Sequence, residues 1–170
     1  MKAIKIYKAL QAADDAADKV LQENLVTEPP VKITEIARNY GLLVEVVDLG
    51  KFGAKVAGFI EPKKEIIYVN KEDSPNRQAF TVAHELAHWL MHKDQLIKNP
   101  NKYAVLYRSP LGAPTEDVIE KEANAFAARV LVPKSILKDY KNQPVHTIAS
   151  IFGVSDELIN YRLKHEFNRQ

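Results

Sequence analysis

Two hydrophobic periods divide the chain. From residue 3 to about 25, Ile6, Leu10, Ala13, Ala17, Val20 and Leu21 recur at three- and four-residue steps, the spacing of one helix face. The stripe is too brief for a coiled coil and predicts an amphipathic helix laid on the rest of the fold. Glu28-Pro29-Pro30 ends the pattern. Ile33, Ile36, Ala37 and Tyr40 then mark the inner side of a short helix that closes at Gly41, in the position that ends helices. After it the period changes. Residues 42–49, 54–61 and 65–70 are rich in β-branched and aromatic side chains, and Pro62-Lys63-Lys64 is turn material, so the last two runs pair as an antiparallel hairpin.

Helical spacing returns at Ser74-Pro75, a hydroxyl at the cap and a proline at the first helical position, and runs to about His92. Residues 93–113, broken by Pro100, Pro110 and Gly112, read as a long loop that either borders a substrate cleft or lies on the surface. Pro114-Thr115-Glu116-Asp117 opens another helix, with a hydroxyl cap and acids in its first turn, that runs to Pro133. A short helix at 134–140 and, after Pro144, a helix pair complete the chain. The order predicts an α+β fold in which a small, mostly antiparallel three-stranded sheet packs against several helices. One domain is expected over 1–170: an N-terminal helix (1–28), a core (30–133) and a C-terminal helical cap (134–170) with helix-turn-helix-like spacing.

Composition narrows the chemistry. With 24 basic and 22 acidic residues the net charge is +2, too small to argue for nucleic acid or a membrane surface. There is no cysteine, so any metal must be held by histidine and carboxylate, and no disulfide or thiolate chemistry is available. The first residues carry several acids and no sustained apolar core, unlike a signal peptide or membrane span, which leads to an expected cytoplasmic location.

The run His84 to His92, HELAHWLMH, is where that chemistry concentrates. His84 and His88 stand four residues apart, so on a helix their Cβ atoms lie roughly 6 Å apart on one face and both imidazoles can reach one ion. Zn²⁺ suits such nitrogen donors, and Mn²⁺ or another divalent ion is compatible with them. Glu85, about 100° around the helix from His84, points beside the ion, where a general base for an activated water belongs. Two imidazoles and a carboxylate in an otherwise apolar helix are costly unless they have work to do.

A third ligand must come from the second helix, where Glu116, Glu120 and Glu122 are candidates. Glu120 shares a face with Ala123, Ala127, Val130 and Leu131, the side that packs inward, whereas Glu122 shares its face with Arg129 and points to solvent. Asn124 lies four residues after Glu120 and is placed to hydrogen-bond a ligand.

RQAFTVAHELAHWLMH (77–92) followed by EKEANAFAARVLVP (120–133) resembles the ImmA/IrrE family of bacterial metallopeptidases, and ITEIARNYGLLVEVVDL (33–49) is similar to that family's lead-in. The resemblance covers roughly residues 30 to 165. It implies a compact zincin-like domain, gluzincin-like in its ligands, with His84, His88 and Glu120 on the metal and Glu85 as catalytic base. The family's better-understood members act on helix-turn-helix repressors, so the substrate it implies is a regulatory protein of a phage, mobile element or stress system.

Other residues are ambiguous. His92, one turn beyond His88, invites a three-histidine site, but the pattern H-E-x-x-H-x-x-G-x-x-H fails because Met91 stands at the glycine and Asp94 at the last histidine. A bond to a nearby carboxylate is the expected role of His92. Peptide hydrolysis develops charge on the carbonyl oxygen, and Tyr103, Tyr107, Arg108 and His146 are candidate donors to it. The rival function lies in IASIFGVSDELINYRL (148–163), where Ala149, Gly153 and Val154 stand as in a helix-turn-helix and Arg162 follows. Asp156 and Glu157 would begin the recognition helix and meet phosphates, so direct nucleic-acid binding is not expected. The sequence thus predicts a zinc endopeptidase acting on a protein substrate. The alternative is a non-hydrolytic regulator with the same fold that binds DNA or a repressor.

Overall fold

The first apolar stripe folds into α1 (Lys2–Glu23) in a computed structural model that describes residues 2–100, 105–107 and 117–167. Its buried side is Ala9, Ala13, Ala17, Val20 and Leu21, and Leu10 turns outward at the stripe's edge. The small residues let α1 lie closely on a later helix. α2 (Ile33–Asn39) buries Ile33, Ile36 and Ala37, and the chain leaves it through Gly41 at φ 83°, a left-handed angle that costs glycine nothing.

Among the described residues the sheet has four strands, one more than the sequence suggests: β1 (Leu43–Val47), β2 (Val56–Glu61), β3 (Ile66–Asn70) and β4 (Val105–Tyr107), in the order β1-β3-β2-β4. β2 and β3 form the expected antiparallel hairpin, β4 adds antiparallel to β2, and β1 runs parallel to β3. The segment read as a loop, 93–113, therefore contains the short helix α4 (Lys93–Lys98) as well as β4. Alternation sorts the faces: Ile60, Ile67 and Val69 are buried toward the helices, while Phe59 and Tyr68 stack on the other face with centroids 4.8 Å apart.

α3 (Pro75–Met91) lies on the inner face of this sheet. Ser74 caps it by accepting from the Arg77 amide at 3.3 Å, with Pro75 at the first position. Every residue from Phe80 to Trp89 is buried, so α3 is a core helix wrapped on all sides. Its approach to the sheet depends on Gly58 in β2, where a Cβ would stand 2.4 Å from the Tyr68 carbonyl oxygen and 2.5 Å from Thr81 Cγ2. Across α3 from the sheet packs α5 (Val118–Leu131), with α1 on its far side. α5 is capped by the Asp117 carboxylate, which accepts from the Ile119 amide at 3.0 Å, rather than by the expected hydroxyl. α6 (Lys134–Tyr140), α7 (Val145–Phe152) and α8 (Asp156–Phe167) follow, and Phe152, Val154, Leu158, Ile159 and Leu163 extend the same apolar core.

Candidate metal centre

The α3–α5 contact brings together the polar residues that an apolar interior would otherwise exclude. Four-residue steps put His84, His88 and His92 in one column on α3, with ring centroids 4.8 and 5.3 Å apart. All three are buried. Glu120, in the first turn of α5, enters between the first two. Its Oε2 lies 3.4 Å from His84 Nε2, its Oε1 3.4 Å from His88 Nε2, and the two Nε2 atoms are 3.1 Å apart. Metal bonds of about 2.0–2.1 Å at tetrahedral angles hold ligand atoms roughly 3.3 Å apart, so the three donors stand at spacings one ion can close. Among the described residues they form the one group of three or more such side chains that could hold a metal.

The electrostatics fit that reading. Burial works against the charge on Glu120, but the facing imidazoles outweigh it and hold its carboxyl down to about 2. Burial, reinforced by the neighbouring His84, lowers the pKa of His88 and keeps its ring neutral, the form that donates a lone pair. Asn124, one turn along α5 from Glu120, places Oδ1 3.0 Å from His84 Nδ1. An amide oxygen only accepts, so the His84 proton sits on Nδ1 and Nε2 faces the cluster bare.

Glu85 is fully buried, and among the described residues neither carboxylate oxygen has a hydrogen-bond partner. Burial and the charge of Glu120 push its pKa well above the usual carboxylate range. A side chain so costly to bury, beside a cluster of metal donors, has the properties of a group that exchanges a proton.

The remaining candidates separate. His92 Nε2 lies 2.8 Å from Glu122 Oε2, the carboxylate bond expected of it, and His92 is not one of the three converging donors. Glu122 is not the solvent-facing charge that helix phase suggests. Its side chain is only 17% exposed, because a long flexible stem carries the carboxylate around α5 to His92. The paired acids of EKEAN opposite an extra histidine were the signal for this contact. Tyr107 is exposed on β4, and His146 is exposed on α7; neither belongs to the cluster. Tyr103, Arg108 and Glu116 lie outside the described residues.

The chain matches the family described as the IrrE N-terminal-like domain over residues 37–164. It is 34% identical over 83 residues to the radiation response metalloprotease IrrE of Deinococcus deserti and 31% identical over 83 residues to that of Deinococcus radiodurans. Each match covers 48% of this chain but only 27% and 24% of the relatives, so the chain spans about a quarter of their length. A Mycobacterium tuberculosis transcriptional regulator shares the fold, with a TM-score of 0.65 at 19% identity over 90% of this chain and 55% of that one. No helix among the described residues is long and apolar enough to cross a membrane.

Proposed function

The chain belongs to the IrrE N-terminal-like domain family, and from that premise we propose that it is a zinc-dependent endopeptidase with two histidine ligands and one glutamate, cutting a cytoplasmic regulatory protein. The observation that carries the reading is the convergence of His84 Nε2, His88 Nε2 and the Glu120 carboxylate beside a buried Glu85 that has no hydrogen-bond partner among the described residues.

His84, His88 and Glu120 hold the ion, which when bound supplies the Lewis acidity that acidifies water and polarises a carbonyl. Glu85 takes the proton of the attacking water on a carboxylate oxygen as the water oxygen bonds to the scissile carbon. It then delivers that proton to the amine as the carbon–nitrogen bond breaks. Its raised pKa suits both halves of that exchange, since the carboxyl can hold a proton under conditions where an exposed glutamate cannot. Glu120, held strongly acidic, remains an anionic donor throughout.

For the substrate, the resemblance to repressor-cleaving metallopeptidases supports a helix-turn-helix repressor. The test is co-expression with the product of the neighbouring gene, and with helix-turn-helix repressors of the host, comparing wild type with Glu85→Gln. A discrete repressor fragment that disappears in the variant is expected. Repressor binding without any fragment would instead identify a non-hydrolytic regulator.

A further inference from the structure

His88 is approached from behind by two side chains that the hydrolytic reading does not use. Its Nδ1 lies 3.2 Å from His92 Nδ1, and His92 Nε2 lies 2.8 Å from Glu122 Oε2. His92 is 4% exposed, so water cannot readily substitute for either partner. With both rings neutral, one proton arrangement satisfies these two contacts. A carboxylate only accepts, so the His92 proton sits on Nε2 and is donated to Glu122. That leaves His92 Nδ1 bare and able to accept from His88 Nδ1–H. The His88 proton is therefore on Nδ1, and its Nε2 lone pair faces Glu120 and His84.

We propose that Glu122 and His92 are positioning residues, forming a carboxylate–imidazole relay that fixes the tautomer and ring orientation of His88 as a metal ligand. The inference rests on the metal-site reading above and extends it. Asn124 does for His84 in one step what Glu122 does for His88 in two. With both tautomers fixed, two bare imidazole nitrogens and a carboxylate meet with no proton among them, an arrangement that a cation relieves. Metal-binding histidines usually give their second N–H to a carboxylate, a carbonyl or water. Here a second imidazole is interposed, which carries the orienting charge from Glu122 on α5 to a ligand on α3.

The experiment uses ¹⁵N NMR of the imidazoles in the full chain without metal, above about pH 8 where ordinary imidazoles are neutral, and then titration with Zn²⁺. Wild type is expected to show Nδ1–H at His88 and Nε2–H at His92. Glu122→Ala should mix the tautomers at both rings and weaken Zn²⁺ binding by about 10–100-fold, the usual loss when a ligand's orienting partner is removed. Glu122→Gln keeps an acceptor oxygen for His92 Nε2–H, so it should restore the wild-type tautomers and most of the affinity. A merely structural role for Glu122 would not move the His88 tautomer. Nε2–H at His88 in wild type would overturn the relay, as would unchanged tautomers and affinity in a folded Glu122→Ala. Wild type that shows the expected tautomers yet takes up no Zn²⁺ would overturn the metal-site reading itself, and with it the relay's purpose.

Discussion

Among single residues, Glu85 is buried and its neighbour Glu120 only half-buried, and their environments drive their pKa values apart. Among the described residues Glu85 has no hydrogen-bond partner, and its pKa is raised, whereas Glu120 is bracketed by two imidazoles and is held down to about 2. Glu85→Gln should keep about one metal per chain and reduce hydrolysis by about 10²–10⁴-fold, the usual worth of a general acid–base group. Metal analysis beside a cleavage assay checks it, and a metal-free Glu85→Gln would make Glu85 a ligand. Glu120→Ala should lose metal affinity most severely, since it removes a ligand outright. Asn124→Ala should lose about 10–100-fold, since His84 keeps its nitrogen but not the oxygen that orients it. Zn²⁺ titration ranks the two, and an Asn124→Ala loss exceeding that of Glu120→Ala would reverse the roles. Most of this was legible from residue spacing, because H-E-x-x-H fixes side-chain directions on any helix. Glu122 was not, because helix phase gives the direction of Cβ and says nothing about where three further torsions carry a carboxylate.

The elements with the strongest periodicity, α1, α3 and α5, are the ones that spacing located. β4 escaped notice because a three-residue strand has no period to read, although Val105-Leu106-Tyr107 carries the right side-chain types. The parallel pairing of β1 with β3 was invisible for another reason: register between strands separated by a third lies in no local pattern. What holds α3 to the sheet is equally non-local. Gly58 is a glycine because the Tyr68 carbonyl and the Thr81 methyl occupy the space of a Cβ, and both are anchored in regular elements. Gly58→Ala should therefore destabilise the protein by about 1–3 kcal/mol through overpacking, and displacement of α3 should also weaken metal binding. Urea unfolding and Zn²⁺ titration of the same variant measure both. A variant as stable as wild type would show that α3 can ride up without cost.

Across the whole molecule, one charge network ties the first and last helices to the helix that carries Glu120. Arg129 on α5 bonds Asp18 of α1 at 2.9 and 3.1 Å and Glu166 of α8 at 3.0 Å, while Glu166 also meets Arg162 at 2.8 Å and Lys134 at 3.0 Å. Burial opposes the charge on Glu166, but its three cationic partners outweigh that and lower its pKa from the ordinary 4.5. A lowered native pKa means its contribution is complete above pH 4.5 and is lost as pH falls through the lower native value. Asp14 in the same cluster is shifted upward by burial and works in the opposite sense, so the comparison must be between wild type and Glu166→Gln. The variant should cost about 3 kcal/mol at neutral pH, since it leaves Arg162 buried without its carboxylate, and the difference should shrink as acid protonates wild-type Glu166. Denaturation at several pH values reads this, and a gap that persists unchanged in acid would rule out the charge as its source. The same network bears on the helix-turn-helix spacing of α7 and α8. Arg162, the cation that such a motif would offer to phosphate, is 4% exposed and turned inward, donating to the Val132 carbonyl at 3.0 Å as well as to Glu166. The exposed start of α8 offers Asp156 and Glu157 instead, which duplex phosphates repel. The purified chain should therefore show no sequence-specific duplex binding tighter than about 10⁻⁶ M at physiological salt, the tight end of non-specific affinity. A competitor-resistant shift with a defined operator below that concentration would show that α7 and α8 do read DNA.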